Sequence, residues 1–554
     1  MVPDEKKPIP WGLPPLRSEV LARQAQAAAV PEDREKEAEL PEYFPEPSAH
    51  YASNGYMPLD RLEALSGRQR LGIFVGGALL LGGTALLASL GGCLMSAQGG
   101  GEPCPMHVVA ELVRGGHNAS NTVAWDRLAE MTDLYGHRMT ASRAYDLSAE
   151  WVVRTANNDP NLTAYTEPVW VDEWVRGSES LELLVPTREG GRVPLQLLGL
   201  GSSAPTPAGG IEANVVPVHS FDELARLGNA TISGSVVLFN FPYTGYGQVA
   251  RFRSRGAVEA AKYGARAVLV RTLAPDSSFH SVHTGSSVRA AIPGAAISPA
   301  DANMIERMYR RAQAGASPDH VFPRVRLSMD SRLREHARQS ANVIIDLKGA
   351  ELPDEIVLLS GHFDSWDVGV GAMDDGAGAF LGWEAARMIA AAGVAPRRTI
   401  RVVMWNNEET RQRGAHAYFD RHRDEIKRHR LAVESDIGVF EPWGLVVAAE
   451  DSVVERMRAF GANALRALGG GNVTATDREA PGEDIAVLCK HGVPCAGFLS
   501  VNPETGAAPG DPHWEDHYFR YHHASSDRVE AIDKHQLRRS AAALAAWAYM
   551  AAEY

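Results

Sequence analysis

Residues 355–378 read EIVLLSGHFDSWDVGVGAMDDGAG. A continuously apolar, strand-like run stops at a segment carrying one histidine and four aspartates among five glycines. Glycine weakens helix and strand alike, so this segment is a shaped loop. The stretch AFLGWEAARMIAAAG that follows has a helical pattern. Strand, loop and helix in that order are the repeating unit of a parallel sheet with helices on its faces.

Further along the chain the unit recurs. From residue 342 the apolar runs ANVIIDL, EIVLLSG, TIRVVMW, LAVESD and VPCAGFLS alternate with helical stretches such as GAHAYFDRHRDEIKRH and SVVERMRAFGANALRAL. The expected fold class is therefore α/β, a mainly parallel mixed sheet flanked by helices. HQLRRSAAALAAWAYMAAEY closes the chain as a helix packed on that sheet.

Open α/β sheets hold their sites at the carboxyl ends of the strands. In this chain the chemistry-bearing residues fall at such ends. EIVLLSG leads into His362 and Asp364, TIRVVMWNN into Glu408 and Glu409, and LAVES into Asp436, while YHHASSD brings His522, His523 and Asp527. One acidic strand end is ordinarily a helix N-cap; four segments delivering histidines and carboxylates to one edge are not. A His/Asp/Glu set without cysteine suits Zn²⁺, with Mn²⁺ or Co²⁺ as alternatives. Two histidines and three carboxylates exceed one open tetrahedral site and match two ions sharing a carboxylate. Two metals ~3.5–4 Å apart can hold a bridging hydroxide, and an unligated carboxylate then moves the proton.

Upstream, 121–154 has apolar spacing for two helices, and 178–342 turns to short β-type runs broken by Gly, Pro and Ser, with one clear helix at AVEAAKYG. The expected organisation is a first segment of the α/β domain at 107–178, a β-rich module at 179–341 and a second segment of the α/β domain at 342–554. The charged fraction of 22% and hydrophobic fraction of 45% are those of a globular chain, and a formal charge of −13 speaks against a nucleic-acid binder.

No charged residue occurs between 71 and 101, and 71–95 is long enough to span a bilayer as one helix. Arg61, Arg68 and Arg70 precede it and no lysine or arginine follows before Arg114, so the positive-inside rule makes 69–96 a signal anchor. About 70 residues ahead of it are too many for a cleaved signal peptide. Residues 1–68, rich in Pro, Glu and Ala, read as a disordered cytosolic tail. The result is a type II membrane protein with its bulk extracellular or in a secretory or endolysosomal lumen. Secretion or lysosomal delivery after cleavage is the alternative. Asn118, Asn161, Asn229 and Asn472 are glycosylation sequons on that side, and Cys489 and Cys495 either bridge or stay as core thiols.

GHFDSWDVGVGAMDDGAG, WNNEE, ESDIG and HHASSD together resemble the co-catalytic dinuclear zinc exopeptidases, and LLGLGSSAPTP, SFDELARL and GAVEAAKYGA extend the likeness upstream. The resemblance implies that 179–341 is a protease-associated domain. It gives His362 and Asp436 to one Zn²⁺, Glu409 and His523 to the other, and Asp374 to both. Glu408 becomes general base and acid, and Asp364 the residue that orients His362. The resemblance also implies a cis peptide between Asp374 and Asp375, dipeptide or short-peptide substrates, two Zn²⁺ per subunit and a homodimer. His522 falls where relatives contact the tetrahedral intermediate. Asp484 falls near the substrate pocket, where N-capping of a helix is the competing role. Asn406, Asn407 and Arg528 depart from the family pattern, and 502–517 is an added polar segment, read as a surface loop. Two other functions fit the scaffold: an inactive receptor-like protein, which would have lost ligands, and a glutaminyl-cyclase-like acyl transferase, which binds one zinc.

Overall fold

The computed structural model describes residues 105–554 apart from 276, 277, 279, 316 and 477–480. The expected tail and membrane segment, 1–68 and 69–96, lie outside these residues. Among the described residues no helix is long and apolar enough to cross a membrane.

The larger of two eight-stranded sheets contains β1 (Leu162–Val175), β2 (Arg332–Leu347), β3 (Leu352–His362), β4 (Arg398–Trp405), β5 (His429–Glu434), β6 (Pro442–Ala448), β7 (Asn472–Ala475) and β8 (Cys495–Ser500). Their spatial order is β1-β2-β4-β3-β5-β8-β6-β7. The four central strands β4, β3, β5 and β8 are parallel. Antiparallel pairings extend the sheet at both sides, β2 on β4 and β6 on β8. Val357, Leu359, Val402 and Val433 in the central strands are fully buried, because helices cover both faces.

Helix Ala377–Ala391 follows the glycine-rich loop and is buried almost throughout. Gly382 lets it lie close on the sheet, since a Cβ there would meet Val402 at 3.1 Å. Helix Lys534–Glu553 packs beside it and is buried all round at Ala541–Ala546, and the expected helices of 121–154 are Val123–Tyr135 and Arg143–Ala156.

This arrangement aligns three chain segments. His362 is the last residue of β3 and pairs in register with Trp405, the last residue of β4. Glu408 and Glu409 follow β4 directly, and Asp436 follows the end of β5. Adjacent parallel strands thus deliver an imidazole and three carboxylates to one edge.

Between β1 and β2 the chain builds the second sheet with its own apolar cores. Two features correct the sequence reading. The chain is back in the larger sheet at Arg332, well before residue 342, because β2 is a long strand paired with β1 from end to end. The module also has three helices, Phe221–Ile232, Tyr246–Ala261 and Pro299–Ala314, where one was expected. They cover a parallel core of four strands, Ile211–Val218, Val236–Phe239, Ala267–Arg271 and Gly294–Ile297.

Candidate active site

The loop after β3 is held from three directions. The guanidinium of Arg138, fully buried, donates to the carbonyls of Phe363, Val370 and Gly371. The carboxylate of Asp527 accepts from the backbone N–H groups of Met373 (2.7 Å) and Asp374 (3.3 Å). Asp375 accepts from the N–H of His362 and of Gly378, both at 3.1 Å, which ties the loop's ends together. The Asp374–Asp375 peptide is cis, as the resemblance implied.

So held, the five expected ligands converge. Nε2 of His362 lies 3.1 Å from Oδ1 of Asp374 and 3.3 Å from Oδ1 of Asp436. Nε2 of His523 lies 2.8 Å from Oε2 of Glu409 and 3.4 Å from Oδ2 of Asp374. One carboxylate therefore presents one oxygen to each histidine. Both Nδ1 atoms face a carbonyl. Nδ1 of His362 lies 2.9 Å from the Asp364 carbonyl, and Nδ1 of His523 lies 3.3 Å from that of Thr284 and 3.3 Å from the Arg253 guanidinium. A carbonyl only accepts, so Nδ1 of His362 carries a proton and its Nε2 is the atom turned to the carboxylates, while Nδ1 of His523 stands between an acceptor and a donor.

Asp364 differs from expectation. Its backbone carbonyl, not its carboxylate, orients His362; the nearest carboxylate oxygen is 4.0 Å from Nδ1. That carboxylate instead accepts the N–H of Glu408 at 3.0 Å, fixing the turn that presents the two glutamates. Burial pushes it up to about 6.

The cluster is short of positive charge. Burial raises the carboxyls of Glu408, Glu409 and Asp436 above the usual range. Burial also opposes charge on His362, yet Asp436 and Asp374 together raise it well above an ordinary imidazole. Oδ2 of Asp374 and Oε1 of Glu409 are buried without a hydrogen-bond partner. Buried carboxylates with unused lone pairs beside two oriented imidazoles fit divalent cations. Two groups of compatible donors share Asp374: His362 with Asp436, and His522 with His523.

His522 stacks on His523 with ring centroids 3.5 Å apart, and its Nε2 is 3.9 Å from Asp374. Burial lowers it to about 3, so it is a neutral imidazole. Asp484 neither caps a helix nor lines the cavity. Both its carboxylate oxygens are buried without partners, and Glu434 caps that turn by accepting the N–H groups of Glu483, Asp484 and Ile485.

A cavity of about 750 Å³ opens over the cluster. Glu408, Glu409, Asp436, His362, His522 and His523 line it, together with Arg251 and Arg253 of the inserted module and with Glu483 and Glu515. Glu515, raised to about 7 by burial, shows that the segment 502–517 reaches the cavity, while His513 stays exposed. The family departures at Asn406 and Asn407 are structural. Asn406 is buried, donating to Ser340 and Ala341 and accepting from Thr140, and Asn407 takes the left-handed conformation (φ 72°) that asparagine tolerates. Cys489 and Cys495 form a disulfide, and the four sequon asparagines are exposed.

Sequence reasoning missed Arg138, Asp527's grip on the loop and the cap by Glu434. Arg138 carries no local motif, and Asp527 stands in HHASSD, where the histidines are the stronger signal.

A doubly covered α/β sheet with this His/carboxylate cluster defines a metallo-exopeptidase. The profile of Peptidase family M28 matches residues 342–548. Carboxypeptidase Q of Bos taurus is 36% identical over 434 residues, spanning 78% of this chain and 85% of that protein. Carboxypeptidase Q of Homo sapiens is 35% identical over 434 residues, with the same shares of 78% and 85%. The chain belongs to peptidase family M28 and is similar to carboxypeptidase Q. The crystal structure of a Peptidase M28 precursor from Shewanella amazonensis SB2B superposes with a TM-score of 0.71 at 30% identity, covering 81% of this chain and 97% of that one. BSAP, a zinc aminopeptidase from Bacillus subtilis, shares the fold at 19% identity (TM-score 0.56, 78% of this chain, 94% of that one).

Proposed function

We propose that the chain is a membrane-anchored exopeptidase that uses two Zn²⁺ to hydrolyse dipeptides and short peptides. The observation that carries this reading is the division of Asp374, whose Oδ1 faces His362 and whose Oδ2 faces His523. His362 and Asp436 would hold one ion, Glu409 and His523 the other, with Asp374 common to both. When bound, such a pair polarises the scissile carbonyl and acidifies the attacking water.

The protein groups then divide the remaining work. Glu408, bordering the cavity with Oε2 4.0 Å from His362 Nε2, takes the water's proton and returns it to the leaving amine. Burial makes its carboxylate a stronger base than a solvated one. Neutral His522 offers an N–H to the developing oxyanion. The cavity's size suits a ligand of a few residues.

In the same reading the inserted module is a protease-associated domain and residues 69–96 anchor the chain. The catalytic part faces the cell exterior or a secretory or endolysosomal lumen, glycosylated at the four sequons, and pairs as a homodimer. The decisive test is Glu408→Gln. It is expected to retain zinc and lose dipeptide hydrolysis by about 10²–10⁴-fold or more. Unchanged turnover would refute the assignment.

A further inference from the structure

Asp367 is the one acidic residue of the glycine-rich loop outside the ligand cluster, and it points the other way, toward the inserted module. It makes a bidentate pair with Arg176 at 2.7 and 2.9 Å. Arg176 lies between the end of β1 and Glu179, the first residue of the module's sheet. Its guanidinium also donates to Oγ1 of Thr284 at 3.2 Å and to the Gly199 carbonyl, and Thr284 Oγ1 donates to that same carbonyl at 2.8 Å.

Thr284 holds His523 by its backbone. Its N–H donates to the His523 carbonyl at 3.0 Å, its carbonyl lies 3.3 Å from Nδ1, where the Arg253 guanidinium also stands at 3.3 Å, and His283 and Ala524 form a β-bridge alongside. His523 has a left-handed backbone (φ 61°), costly for a residue with a Cβ and kept only where its surroundings fix it. Gly285, the next residue, leaves no room to spare. A Cβ there would lie 2.7 Å from Nδ1 of His523 and collide with the guanidinium of Arg253. Trp366 stands 5.7 Å from the ring, edge to face, itself packed on Trp174 and on Gly201 of the module.

We infer that the inserted module is the outer clamp of one metal position: Asp367, Arg176 and Thr284 form a hydrogen-bonded chain that fixes His523 and so sets zinc affinity at the Glu409/His523 position. This rests on the two-ion reading above. His362, by contrast, is oriented by Asp364, within its own loop. The two positions therefore differ in kind. One is complete within the peptidase sheet, and the other exists only when the module is docked. Asp367, Arg176 and Thr284 are positioning residues, since none touches the cluster's Nε2 side.

The test is a Zn²⁺ titration of the chelator-stripped, full-length protein in detergent, competing with a fluorescent zinc indicator. Asp367→Asn and Thr284→Val are each expected to weaken one of two binding steps by about 10–100-fold, the usual effect of losing a ligand's outer partner. The other step stays as in the wild type. Thr284→Ser, which keeps the hydroxyl, restores both steps. Gly285→Ala is a second route to the same selective loss. A merely structural role would weaken both steps together or neither, and either result overturns the inference. A wild-type protein that takes up a single ion refutes the two-ion reading; unchanged affinity for that ion in both variants then refutes the clamp as well.

Discussion

The carboxylate of Asp364 accepts the backbone N–H of Glu408 at 3.0 Å, so a residue at the end of β3 fixes the turn at the end of β4. Asp364→Ala removes that anchor and leaves the carbonyl that orients His362 in place. The expected outcome is retained zinc with kcat reduced about 10–100-fold, measured by steady-state kinetics beside metal analysis. Loss of zinc in step with activity would show that the carboxylate acts on His362 instead.

Asp374→Asn tests the shared ligand. An amide offers one acceptor where the carboxylate offers two, so zinc per chain is expected to fall, with activity falling at least as far. A variant that still holds two ions would move the bridge elsewhere.

Gly378→Ala tests how the loop meets the helix behind it. A Cβ at this position would run into the Ser435 carbonyl and the Asp375 carboxylate. Overpacking at such a site costs about 1–3 kcal/mol, read as a lower melting temperature even without metal. No change in melting would mean that the strand end and the helix N-terminus can part freely.

A pH effect on stability arises far from the cavity. His429 is buried with Nδ1 3.2 Å from the Glu425 carbonyl and Nε2 2.9 Å from the Tyr418 hydroxyl, partners that satisfy both nitrogens of a neutral ring. Burial lowers it to about 4. The unfolded chain binds this proton first, so the stability it contributes is present above about pH 6.5 and lost as pH falls toward 4. The loss amounts to roughly 3 kcal/mol. Denaturant unfolding at several pH values should show the slope, and His429→Gln should flatten it.

Three of the five candidate ligands were legible because each sits where a parallel strand stops. A parallel strand must end at the sheet's carboxyl edge, so His362, Glu409 and Asp436 could be assigned to one place from their position after apolar runs. The roles of their supports were less legible, since those depend on backbone atoms. The Asp364 carbonyl and the Thr284 carbonyl have no residue code, and Arg138 reaches the loop across more than two hundred residues of chain. Asp484 stands two residues before the helix Ala486–Cys489, close to where a cap would be, yet Glu434 on the neighbouring strand satisfies the N–H groups there from outside. The module's extra helices were readable. Ser298 caps Pro299–Ala314, with Pro at its start and Gly315 at its end, and Ser220 caps Phe221–Ile232 by accepting the N–H of Glu223, whose carboxylate accepts the N–H of His219. The β-type runs around them set the texture and masked these signals.

Asp374 also has a bearing on how the molecule endures. His362 and His523 stand far apart in the chain and meet only across that one carboxylate. Zinc held there as proposed would act as a staple closing a very long loop, with much of its benefit coming from freedom withdrawn from the unfolded chain. Resistance to heat and to proteolysis is then expected to rise with free zinc, so the same polypeptide is more durable where zinc is plentiful.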